Sequence, residues 1–69
     1  MGKATSDSSL PKNPKNGEMY LADCSWKSNK VNKIFNSDTS TFHECNNIYY
    51  DDVIIYSSEY GWFINSKGL

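Results

Sequence analysis

Residues 53–65 read VIIYSSEYGWFIN, and no other stretch narrows the fold as much. Val53, Ile54, Ile55 and Tyr56 form one apolar run, Trp62, Phe63 and Ile64 form another, and Ser58, Glu59, Tyr60 and Gly61 break them apart. Short runs rich in β-branched and aromatic residues read as strands, and a glycine closing the break supplies the positive φ that hairpin loops need. A C-terminal β-hairpin is expected. Successive strand side chains point to opposite faces, so Val53 and Ile55 face one way, Ile54 and Tyr56 the other, and Trp62 with Ile64 opposes Phe63. The pattern therefore predicts two apolar faces. One closes a core; the other, with Tyr60 on the turn, is left for a partner.

Upstream, the same alternation recurs more weakly. EMYLADCSW, residues 18–26, reads as a first strand with Tyr20, Ala22, Cys24 and Trp26 on one face and Met19 and Leu21 on the other. VNKIFN reads as a second strand after a KSNK turn, and NIYY as a further one, with Asp51 and Asp52 as its break. STFHECN has capping-box spacing between Thr41 and Glu44, but nothing apolar follows, so at most one helical turn is expected. Eight Asn, ten Ser, five Ile and five Tyr favour strands and polar turns over helix. The expected fold is all-β: a small antiparallel sheet or SH3-like open barrel of four to five short strands.

Size sharpens this. A 69-residue chain encloses one core, which leaves only ~3–5 kcal/mol of stability, so a staple or a second chain is a natural supplement. Residues 1–16 offer only Met1, Ala4 and Leu10 as apolar side chains and read as a disordered arm, leaving 17–69 as a single small β domain. Cys24 and Cys45 either form the one possible bridge or remain two buried thiols, the reading favoured here because nothing marks an oxidising compartment.

The chemistry-bearing residues are sparse. His43, Glu44 and Cys45, with Cys24 and an aspartate, supply zinc-ligand types, but their spacing matches no zinc pattern, so no metal and no cofactor is expected. A Cys45 nucleophile with a His43 base lacks a third group to orient the imidazole, and no glycine-rich phosphate loop or Gly-x-Ser-x-Gly is present, so the chain reads as non-enzymatic. MGKATS fits the N-myristoylation pattern with Gly2 as acceptor, while no signal-peptide h-region or transmembrane run occurs. Export by a signal of its own is not expected.

WKSNKVNKIF interleaves Trp26 and Phe35 with Lys27, Lys30 and Lys33, the ingredients of single-strand nucleic-acid binding. Against it stand a net charge of −1 and the absence of Arg. It is kept as the alternative reading, beside a metal- or disulfide-stapled structural protein.

LPKNPKNGEMYLAD together with VIIYSSEYGWFIN resembles a short motif of bacteriophage tail-fibre and other virion β-modules. There a Pro-containing lead and a Gly-Asp/Glu-x-Tyr opening begin one strand, and an aromatic strand with Gly-Trp closes a hairpin. The corresponding residues are Pro11, Pro14, Gly17, Glu18, Tyr20, Tyr56, Gly61 and Trp62. The resemblance implies a phage-type β-domain that acts by binding, either within a virion or on a host protein, and so a location in a virion or the host cytoplasm. The contact residues expected from the sequence are Tyr49, Tyr60 and Trp62, with Asp51, Asp52 and Glu59 as a polar rim. A homodimer is a further expected partner state.

Overall fold

The computed structural model describes residues 2–65. In chain order the strands are β1 (Gly2–Ala4), β2 (Met19–Ala22), β3 (Trp26–Lys27), β4 (Lys33–Asn36), β5 (Thr41–Glu44), β6 (Asn47–Ile48), β7 (Val53–Ser57) and β8 (Gly61–Asn65), with a 3-10 turn at Asp7–Ser9. Among the described residues there is no α-helix, and no helix long and apolar enough to cross a membrane. Six strands form one sheet in the order β1-β2-β7-β8-β4-β5, and β3 pairs with β6 as a separate ribbon.

The fold is mostly β, but the expected antiparallel sheet or SH3-like barrel gives way to a mixed open sheet. β1 runs parallel to β2, and β4 parallel to β8. Parallel neighbours need a long crossover, and the connections through residues 5–18 and 37–60 provide it where a tight hairpin could not. STFHECN supplies β5 in place of a helical turn, because pairing with β4 over Lys33↔Glu44 to Asn36↔Thr41 outweighs weak local propensity. EMYLADCSW breaks after Ala22, and Trp26–Lys27 leaves the sheet to pair with β6.

The C-terminal hairpin forms as its pattern predicts. β7 and β8 pair antiparallel with Ile54↔Ile64 and Tyr56↔Trp62 on one face and Ile55↔Phe63 on the other. Gly61 closes the turn at φ +82°. Ile54, Ile64 and Trp62 lie in the core with Ala4, Ala22, Val31, Ile48 and Leu10, flanked by Tyr20, Tyr56, Ile34 and Trp26.

The amino-terminal lead belongs to this core, in contrast to the disordered arm that its composition suggests. β1 adds to the edge of β2, placing Ala4 beside Ala22, and Leu10 is 3% exposed. What composition does not show is that polar side chains here carry specific bonds. The Asp7 carboxylate accepts from Trp26 Nε1 at 2.9 Å, Ser28 Oγ at 2.6 Å and the Asn29 backbone N–H at 2.6 Å. Ser28, itself buried, accepts in turn from the N–H of Lys30 and of Val31. One carboxylate thus ties the lead to the loop that delivers Val31. Gly2 sits against the Tyr20 ring so closely that a Cβ there would lie 2.6 Å from it.

Candidate functional site

Register assigns every sheet residue to a face. Tyr20, Ala22, Ile54, Tyr56, Trp62, Ile64 and Ile34 line the closed face, over which Leu10, Val31 and Ile48 pack. The intervening residues, Met19, Leu21, Val53, Ile55, Phe63, Phe35 and Phe42, share the opposite face, and none of them is buried. No described element packs over it. This open face is the candidate site.

Its aromatic end has a defined shape. Phe42 stacks edge-on to Phe35 at 5.2 Å and to Phe63 at 5.3 Å between ring centroids, and Tyr60 leans onto Phe42 at 4.9 Å. Edge-to-face contacts of this kind hold rings in fixed relative orientations. With Ser40 and Ser57 they border an open hollow of about 380 Å³. Tyr60 is held there by its backbone: its N–H donates to Ser57 Oγ, and its carbonyl accepts from Lys33 Nζ at 2.7 Å. Three charged residues share this face: Lys3 in the Leu21 row at the β1 edge, Lys33 on the inner strand β4, whose Nζ reaches the Tyr60 carbonyl, and Glu44 opposite Lys33 on the β5 edge.

The sequence-derived contact residues divide. Tyr60, 50% exposed, belongs to the open face, and Glu59 is exposed beside it on the same turn. Trp62 does not belong there: it is 8% exposed and packs against Tyr20 at 5.9 Å and Tyr56 at 5.2 Å, because its register with Tyr56 puts it on the closed face. Tyr49 is 61% exposed but sits before β7, whereas Tyr60 follows it. Five residues of strand separate them by on the order of 15 Å.

Asp51 and Asp52 shape the turn at that far end. Asp52 Oδ2 accepts from the Tyr49 N–H at 2.9 Å, its carbonyl accepts from the Ala22 N–H, and Asp51 adopts a left-handed φ of 75°. Asp52 is therefore a structural cap and not a rim for Tyr60. Of the residues that complete the site, Phe35 and Phe63 were visible in the sequence only as alternate positions in strands whose neighbours were unknown, and Phe42 lay in the segment expected to make at most a helical turn.

The remaining candidates disperse. Trp26 is on the closed side with its indole N–H bonded to Asp7, while Phe35 is on the open face, so the aromatic and basic residues of WKSNKVNKIF share no one surface. Cys24 and Cys45 are free, half-buried thiols that donate to the carbonyls of Thr5 and Asn47. His43, Glu44 and Cys45 border an open hollow of about 580 Å³ along β5. Among the described residues no three His, Cys, Asp or Glu side chains converge as a metal site would require.

LPKNPKNGEMYLAD and VIIYSSEYGWFIN, separated by 29 residues in the chain, meet through β2 and the β7–β8 hairpin. The Gly17 N–H donates to the Tyr56 carbonyl and the Tyr56 N–H to the Glu18 carbonyl, Tyr20 Oη donates to Glu18, and Tyr20 and Tyr56 flank Trp62. The two pieces are thus one three-stranded unit, β2-β7-β8. Searched against protein-family models, curated proteins and solved structures, the chain matches none.

Proposed function

We propose that the chain is a non-enzymatic protein-binding module that docks through the open face of its sheet, with Phe35, Phe42, Tyr60 and Phe63 as the principal contacts. The observation that carries this reading is the apolar face itself. Apolar side chains share this face without being fully buried, most of them half-buried and Met19 and Tyr60 exposed at 42% and 50%, and an apolar, aromatic surface of this kind characteristically marks an interaction site. The resemblance to virion β-modules supports a phage or mobile-element origin, with a virion component or a host protein as the partner.

The test compares the full wild-type chain with Phe42→Lys as bait in host lysate, and probes purified virions for the protein. Lys12→Ala, on the lead and away from the face, is the control. A partner retained by wild type and Lys12→Ala but lost by Phe42→Lys is expected. Equal capture by all three, or absence from both lysate complexes and virions, refutes docking through this face.

A further inference from the structure

We infer that Asn16 and Gly17 form a deamidation site that the fold holds latent, and that conversion of Asn16 to isoaspartate is a one-way step releasing the turn before β2 from the C-terminal hairpin. Of the eight Asn in the chain, Asn16 alone precedes glycine. Glycine has no side chain to shield its backbone nitrogen, and its conformational freedom lets that nitrogen fold back onto the preceding side chain.

The chemistry needs only water. The Gly17 backbone nitrogen loses its proton and attacks Asn16 Cγ. An N–Cγ bond forms, the Cγ–Nδ2 bond breaks, and ammonia leaves with that proton. Water then opens the five-membered imide. Opening at Cγ gives aspartate on an unchanged backbone. Opening at the Asn16 backbone carbonyl leaves Gly17 joined to Cγ, an isoaspartate whose main chain is one carbon longer. No electrons are transferred.

The folded geometry opposes the first step in three ways. Lys15–Glu18 is a β-turn closed by the Glu18 N–H on the Lys15 carbonyl at 3.0 Å, with Gly17 in third place at φ +86°. That is the type II arrangement, which sets ψ of its second residue, Asn16, near about +120°. Ring closure needs the Gly17 nitrogen eclipsed with Cβ about the Cα–C bond, and this ψ turns it away. The attacking N–H is also engaged, donating to the Tyr56 carbonyl at 2.8 Å. The amide under attack is fixed in its turn, since Asn16 Oδ1 accepts from the Ser58 backbone N–H at 2.9 Å and from Ser58 Oγ at 3.4 Å. Both reacting groups are therefore tied to the same hairpin, and neither is free until the turn opens away from it.

Isoaspartate cannot rebuild these contacts. The extra main-chain carbon spoils the spacing that closes the turn, and the carbonyl that capped Ser58 becomes part of the backbone. The Gly17 N–H and the Glu18 carbonyl, which hold Tyr56 from both sides of its peptide unit, lose their register. Aspartate at the same position keeps the backbone and an acceptor for the Ser58 N–H. The lead that supplies Ala4 and Leu10 to the core enters β2 through this turn.

The test incubates the full chain at mildly alkaline pH, folded and in denaturing urea. Amide-to-acid conversion is followed and located by mass spectrometry, with isoaspartate and aspartate forms separated by chromatography. Asn16 is expected to convert at least about ten-fold more slowly in the folded chain. In urea below the unfolding transition, its conversion and the hydrogen exchange of the Gly17 amide are expected to accelerate together. Glu18→Ala, which removes the acceptor of the Lys15 N–H, is expected to speed conversion in the folded chain about five-fold. The urea series gives the same readout without a variant. The isolated isoaspartate form is expected to lose protection at Gly17, whereas Asn16→Asp keeps it.

Equal rates in the folded and unfolded chains overturn the latency. No conversion at Asn16 in urea overturns the site itself. An isoaspartate form as protected at Gly17 as the unmodified chain overturns the release.

Discussion

Asp7 is the residue through which the amino-terminal lead is attached, and replacing it by alanine isolates that attachment. Three donors lose their acceptor: the Trp26 indole N–H, the Ser28 hydroxyl and the Asn29 backbone N–H. Hydrogen bonds to a charged group contribute about 1.5–3 kcal/mol each when dry, and less where water can replace the partner. Asp7 is half-buried and the Asn29 bond is exposed, so a total of about 2–3 kcal/mol is expected. In a domain whose whole stability is ~3–5 kcal/mol, that leaves the variant close to its unfolding midpoint.

Urea denaturation followed by tryptophan fluorescence reads the change, and the melting temperature should fall by roughly 10–20 °C. Asp38→Ala, at an exposed turn where only the backbone N–H of Asp38 bonds to Asn36, is the control and should move stability by less than about 0.5 kcal/mol. The acid limb gives a second readout. Burial pushes the Asp7 carboxyl up, but hydrogen bonds from Ser28, the Asn29 backbone and Trp26, with the Lys30 backbone N–H close by, outweigh it and hold its pKa below the ordinary 3.8. A carboxylate with a depressed folded pKa adds stability that is complete above its unfolded pKa and is lost as the pH falls through the folded value. The gap between wild type and Asp7→Ala should therefore be constant from pH 7 to about 4.5 and close below that. An Asp7→Ala protein within about 0.5 kcal/mol of wild type at pH 7 would refute the attachment.

Three further substitutions probe the faces and the close approaches. Ile54→Ala, in the core, should cost about 2–5 kcal/mol, whereas Ile55→Ala, one residue on and on the open face, should cost less than about 1.5 kcal/mol when measured at dilution; equal costs would contradict the assignment of faces. Gly2→Ala drives a Cβ into the Tyr20 ring and should destabilise by about 1–3 kcal/mol in thermal melts, with β1 amides losing hydrogen-exchange protection. Gly61→Ala meets open space except for Lys33 Nζ at 4.0 Å, so its cost, about 1 kcal/mol, should come from the positive φ alone, and Gly61→Asn should recover part of it in the same assay.

The sequence by itself determined what is local. Period-two alternation in VIIYSSEYGWFIN set the hairpin, its turn at Gly61 and the division of Ile54, Tyr56, Trp62 and Ile64 from Ile55 and Phe63, because side-chain direction in a strand follows from backbone geometry alone. It also showed that one face would be left over. Only the tertiary structure decided which face. Leu10, Val31 and Ile48 come from segments with little periodicity, and they pack over the side that holds Trp62, turning an expected contact residue into core. The lead joined the fold through bonds to Asp7 that composition cannot report, and β5 became a strand because β4 lay beside it. Phe35 and Phe63 were legible as strand residues but not as a site, and Phe42 was not legible even as a strand residue. Their meeting depends on β4 running parallel to β8, a pairing of segments about 30 residues apart, and partner choice over that distance is settled by burial of the whole chain and not by any local pattern.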